Sequence, residues 1–428
     1  MFVLRLVAAI WCCSYLALTR KIPYYDTFDD DFYSELRNLL EEHQSGKGAP
    51  PVAHPREVRG WGEELGIGQV AGVSVDPDGH PVVFHRGGRV WDYTLIYSQL
   101  KNMERDVGIF PVFPREMDSN VLTQSVVHIL AKDVFMHRTC AFHMQVSVLF
   151  MLCTCGSFNS THHYQEVAPL DDDVVVVLDA QTGLPLPSWG RGKFLLPHGI
   201  TVDAQGNTWL TDVGLHQVFK FPLDAEEPSL TLGHARMPGS GDHHFCKPTS
   251  VAVAASGEFF VADGYCNGRI LRFHADGALM AQFGHMGSDG SSRALYVPHG
   301  LALDDSRDAL CVADRENRRV LCLRAGLRHV DDFGEAFMTL QEPNQGRVFD
   351  IATVNGVVVG VAGSEDEGAA TGFTADLSNG KLLDAWGPLV GFHNPHAVAV
   401  SRDGSAIYVS EIGPNRIWKF LLESPAAY

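Results

Sequence analysis

The sequence predicts an all-β chain folded as a six-bladed β-propeller, and three observations carry that expectation. First, the stretch LPHGITVDAQGNTWLTDVGLHQVFKF, Leu196 to Phe221, returns in variant form as PTSVAVAASGEFFVADGYCNGRILRF, PHGLALDDSRDALCVADRENRRVLCL and PHAVAVSRDGSAIYVSEIGPNRIWKF. Second, Pro197, Pro248 and Pro298 open successive copies roughly fifty residues apart, and Pro395 opens another after about twice that interval. Third, each copy reads as several short strands. In the first, Ile200, Val202, Trp209 and Leu210 flank the turn Ala204-Gln205-Gly206-Asn207, and Gln217 to Phe221 closes the unit. So small a sheet cannot bury both faces alone, and its copies must stack.

The chain opens with Arg5 and an apolar run from Leu6 to Leu18, followed at once by Arg20-Lys21. Residues 1–19 therefore read as a secretory signal peptide, with a signal anchor as the alternative, and the remainder as secreted or lumenal. Residues 25–43 have the spacing of an amphipathic helix, with Leu36, Leu39 and Leu40 on one side, and Ser45 to Pro55 is a Gly- and Pro-rich linker. Residues 20–60 are thus a pro-segment or flexible arm, and the propeller is expected over 61–424. Its first unit is Val70 to Gly79 with Pro81 to His85 as second strand, which places Arg86 on the connection to the third strand.

Residues 101–166 break the pattern. They carry no turn signals at the repeat spacing and include the apolar run Val146 to Cys155, too short to span a bilayer. An inserted segment without a catalytic part, a membrane-touching element, and sequence absent from the mature protein are the three readings. The first is preferred. Within this segment Asn159-Ser160-Thr161 is a glycosylation sequon at Asn159. Regular strands resume at Val174 to Leu178, and a degenerate unit, Val348 to Thr353 with Val357 to Ala362, fills the double gap before Pro395 and brings the count to six.

Composition is that of an ordinary globular protein. The chain has 428 residues, 33 basic and 51 acidic, and a net charge of -18, which argues against nucleic-acid binding. Of nine cysteines, four lie in the repeats. Cys246 with Cys266 and Cys311 with Cys322 are the most economical disulfides, with four buried free thiols as the alternative.

Aligning the units on their first strands puts Ala71, His198, Thr249, His299, Phe349 and His396 at one position in blades one to six. First strands line a propeller's central channel. Histidine on alternate blades therefore places three imidazoles at one level, about 120° apart, which suits a tetrahedral metal site with an open position, zinc above all. Any one Pro-His at a strand start would otherwise be read as local packing.

The runs FHRGGRVW, LPHGITVD, TDVGLHQVFKF, FCKPT, DGYCNGRI, VPHGLAL, LCVADREN, NPHAVAV and NRIWKF resemble those of the peptidyl-α-hydroxyglycine α-amidating lyases, over roughly Val58 to Trp91 and Asp173 to Phe420. NHL-type propellers share the blade pattern without the three histidines. The resemblance implies a lyase that converts C-terminal α-hydroxyglycine peptides to peptide amide and glyoxylate. It implies His198, His299 and His396 as zinc ligands, Tyr265 as catalytic base, and Arg86 and Arg315 as active-site arginines. It also implies calcium held by the backbone carbonyls of Val73 and Ile200 and by an acidic residue where this chain has Ala397. A second departure is Asn394, where the family usually has methionine. A separate copper monooxygenase would supply the substrate, and the enzyme is expected to be a monomer. A catalytically inactive secreted propeller that binds peptides or proteins is the other reading, and a calcium-dependent propeller hydrolase is disfavoured because imidazoles stand where such a site needs carboxylates.

Overall fold

The computed structural model describes residues 54–62, 65–91, 157–159, 161–342, 346–363 and 370–422. The signal segment, the amphipathic stretch at 25–43, most of the 101–166 segment and Cys140, Cys153 and Cys155 lie outside them. Among the described residues there are six four-stranded sheets, each antiparallel throughout. The first strands of the blades are Val70–Val75, Pro197–Val202, Ser250–Val253, Pro298–Asp304, Arg347–Val354 and Pro395–Val400. First strands of neighbouring blades pack on one another, and Val70–Val75 also meets Pro395–Val400, so the ring closes.

Closure uses residues that the sequence reading assigned to the arm. Pro55–Glu57 forms the outer strand of blade six, with Pro55 opposite Leu422 and Glu57 opposite Phe420. The propeller therefore begins before residue 61. Pro55 gave no strand signal because it ends a Pro-rich linker, and an outermost strand tolerates proline since its free edge needs no donor.

The core lies between blades. Phe260, Ile270 and Phe283 of blade three pack with Leu310, Val312, Leu321 and Leu323 of blade four, and Trp386 of blade five packs with Ile407, Val409 and Phe420 of blade six. This is the burial that a single unit cannot achieve. Cys311 lies directly opposite Cys322 in blade four, and the disulfides are Cys246–Cys266 and Cys311–Cys322. Among the described residues no helix is long and apolar enough to cross a membrane.

Buried carboxylates at the ends of second strands fix the entry to the first strands. Asp212 accepts from the amides of Leu195 and Leu196, immediately before Pro197-His198. Asp314 accepts from the amide of Tyr296, from Asn317 and, at 2.8 Å, from the guanidinium of buried Arg319. Glu411 accepts from the amides of His393 and Asn394 and from the indole of Trp418. Blade one has His85 instead, whose Nδ1 accepts from the amide of Gly87 while Nε2 donates to the carbonyl of Asp173. Asp314→Ala strands the Arg319 charge and is expected to cost about 3–5 kcal/mol, read from urea unfolding. A loss under about 1 kcal/mol would remove the carboxylate from this role.

Candidate metal centre and active site

The three histidines converge. Their ring centroids form a near-equilateral triangle with sides of 4.7, 4.8 and 5.2 Å, and one ligand nitrogen from each lies within 4.8 Å of the others. All three side chains are buried. The intervening blades explain the alternation. His198 Nδ1 donates to the carbonyl of Thr249 at 2.9 Å, His299 Nδ1 to that of Phe349 at 2.6 Å, and His396 Nδ1 to that of Ala71 at 2.7 Å. A carbonyl can only accept, so each Nδ1 carries the proton and each Nε2 presents a lone pair. Histidine-bearing blades supply the imidazoles, and their neighbours fix the tautomers.

Burial, with the nearby imidazoles and arginines, holds His198 and His299 well below the usual imidazole range and His396 at about 3. Neutral imidazoles are the metal-binding form, and this donor set fits a divalent ion. The same shifts make a pH prediction for metal-free protein. The unfolded chain takes up these protons below its ordinary 6.5, whereas folded His396 does so only near 3. Each imidazole therefore withdraws stability as pH falls through that interval, by up to roughly 1.4 kcal/mol per pH unit. Urea unfolding with and without His396→Gln isolates one share; identical pH slopes would contradict it.

Around the triangle stand the other residues expected at the site. Tyr265 Oη is 3.1 Å from His198 Nε2 and 3.1 Å from His299 Nε2, and accepts from Arg315 Nη1 at 3.3 Å. Burial raises the Tyr265 phenol, and Arg315 and Arg86 oppose that rise without overcoming it. Arg315 also pairs with Glu316 at 2.8 Å. Arg86 is 1% exposed. It donates through Nε to the carbonyl of Pro197 and through Nη1 to Gln69, while its buried Nη2 has no partner among the described residues. A guanidinium held this way presents a free donor for an anion.

Sequence reasoning missed the wall beside Tyr265. Trp91 lies 4.6 Å from Tyr265 and 5.5 Å from Phe158, ring centre to ring centre, and Lys247 Nζ sits 4.0 Å from the centre of the Phe158 ring. Tyr164 is buried against Leu195, Leu196 and Val213. Phe158 and Tyr164 belong to the end of the 101–166 segment, so at least its last residues are part of the propeller at this site. Their absent repeat signal hid them, because they form a bridge, Phe158 to Tyr164, and no regular strand. Asn159 beside them is exposed.

The NHL repeat profile matches residues 245–273 and 295–323, within blades three and four. The chain is 38% identical over 399 residues to peptidyl-alpha-hydroxyglycine alpha-amidating lyase 2 of Drosophila melanogaster, covering 92% of this chain and 82% of that protein. It is 32% identical over 393 residues to a probable peptidyl-alpha-hydroxyglycine alpha-amidating lyase of Caenorhabditis elegans, covering 91% and 93%. The chain belongs to the peptidyl-α-hydroxyglycine α-amidating lyase family. Similarity extends to peptidyl-glycine alpha-amidating monooxygenase B of Xenopus laevis, 34% identical over 379 residues, which span 86% of this chain and 35% of that longer protein.

Both departures of this lyase-family chain are visible at blade six. Asn394 is exposed and its side chain donates to the carbonyl of Gly413 at 2.7 Å. Its polarity is thus satisfied by its own blade. Ala397 is buried. It lines a cavity next to the three imidazoles, together with Val73, Ile200 and Asp350.

Proposed function

We propose that this chain is a zinc-dependent peptidyl-α-hydroxyglycine α-amidating lyase of the secretory pathway, cleaving its substrate to a peptide amide and glyoxylate. The observation that carries the reading is the meeting of three tautomer-fixed imidazoles, the Tyr265 phenol and the unpartnered Arg86 donor in one site. Zinc is the ion best matched to three imidazoles with an open position, and when bound it supplies a Lewis acid and a positive charge beside the substrate hydroxyl.

The residues take distinct parts. Arg86 anchors the hydroxyglycine carboxylate, since a guanidinium fork matches both oxygens and its Nη2 is unused. Trp91 and Phe158 exclude water on one side. Tyr265 must become tyrosinate to act as base, and Arg315, donating to its oxygen, holds that oxygen in place. The base removes the hydroxyl proton, the oxygen's electron pair forms the aldehyde C=O of glyoxylate, and the Cα–N bond breaks. The departing nitrogen takes up one proton and leaves as the primary amide.

The substrate is a hydroxylated glycine, so a copper peptidylglycine monooxygenase supplies it. The paired cysteines suit an oxidising compartment. The test is glyoxylate release from a synthetic α-hydroxyglycine peptide by zinc-analysed protein. Zinc near stoichiometric amounts with turnover is expected. Peptide binding without glyoxylate would favour the inactive propeller instead.

A further inference from the structure

One residue past the imidazole position stand Gly72, Gly199, Ser250, Gly300, Asp350 and Ala397, one from each blade in order, and all but Gly300 line the channel cavity. Asp350 is the one anionic side chain of this ring. Its setting is built for a carboxylate. A Cβ on Gly300 would lie 2.0 Å from Asp350 Oδ1, so the glycine of blade four leaves the space that this oxygen fills. On the other side Oδ2 accepts from the amide of Val398 at 2.9 Å, directly beside Ala397 of blade six. The carboxylate thus touches both blades that flank its own, four and six. No basic side chain among the described residues pairs with it or lowers its proton affinity.

The cavity that Asp350 shares with Val73 and Ile200 measures about 30 Å³, room for an ion and a water. Anions out of bulk water without a counter-charge are costly, and a cation removes that cost. A carboxylate and main-chain oxygens are hard ligands, the set that calcium prefers.

We infer that Asp350 is the charged ligand of a calcium site in the channel, the carboxylate having moved from residue 397 of blade six to the adjacent position of blade five. Blade five reaches toward the same point because Val398 N–H draws its oxygen across. Ala397 is then a partner of the move. An aspartate there would set two carboxylates against each other in one small cavity. Calcium so placed ties blades one, two and five together beside the imidazole triangle, and acts on stability before it acts on turnover.

The experiment reads metal content and melting temperature without substrate, so it is independent of the lyase reading. Full-length protein is loaded with zinc, equilibrated with calcium or with EGTA, and analysed for both metals. Wild type is expected to hold about one calcium per chain beyond its zinc, and to melt several degrees higher with calcium than with EGTA. D350N is expected to keep zinc, lose calcium and lose the calcium-dependent shift. The double variant D350A/A397D is expected to regain both, because it returns the carboxylate to blade six. Wild type free of calcium at millimolar concentration, D350N that still binds it, or a folded D350A/A397D that does not, would each overturn the assignment.

Discussion

Replacing His299 by alanine is expected to remove the metal and the lyase activity together. Zinc content should fall to a small fraction of one per chain, and glyoxylate release by at least about a thousandfold. The size follows from the geometry. A cluster of three Nε2 ligand atoms that, among the described residues, includes no carboxylate oxygen leaves two imidazoles when one is lost, too few for a tetrahedral ion with an open position. His299 is the most informative of the three, because its Nε2 also touches Tyr265 Oη. Its loss therefore disturbs base and metal at once. Metal analysis and turnover on the same preparation check this. Zinc retained with turnover intact would refute His299 as a zinc ligand, and a variant that unfolds is separated from one that merely loses metal by its far-UV and near-UV spectra.

Much of this site was legible in the repeats, because a propeller converts sequence register into radial position. Aligning His198, His299 and His396 sufficed to place them at one level of the channel, and the structure puts their rings within 5.2 Å of each other. The role of Ala71, Thr249 and Phe349 was not legible. What they contribute is a backbone carbonyl, and a carbonyl leaves no mark on residue identity. The buried acids were half legible. Asp212, Asp314 and Glu411 recur at the ends of second strands, but that recurrence does not say that they hold the segment preceding each histidine. His85 breaks the pattern in composition and keeps it in function, since its Nδ1 accepts from the amide of Gly68, just before the first strand of blade one, as a carboxylate does elsewhere. Asp350 was hidden for a different reason. It stands in the degenerate unit, and only the register pairing of Asp350 with Val361, and the bulge before it, shows that its side chain turns into the channel.

Tyr265→Phe is expected to lower kcat by roughly a hundredfold to ten-thousandfold, the range that a positioned proton acceptor contributes, while zinc content stays unchanged. The prediction rests on conflicting influences at one oxygen. Burial raises the phenol, Arg315 and Arg86 lower it, and the net effect without a metal is a rise. A phenol so placed is a poor base near neutral pH, so the protein's own charges do not prepare it. The remaining shift would have to come from a cation held by the imidazole triangle, whose His198 and His299 Nε2 atoms each lie 3.1 Å from the phenol oxygen. Two consequences separate a proton acceptor from a mere space-filler. Phenylalanine keeps the ring against Trp91, so substrate affinity should change little and the loss should fall on kcat. The rising limb of the wild-type kcat profile with pH should also flatten in the variant, because the group whose ionisation generates it has gone. A loss confined to KM, with the pH profile preserved, would make Tyr265 a wall of the pocket and leave the base to be sought elsewhere.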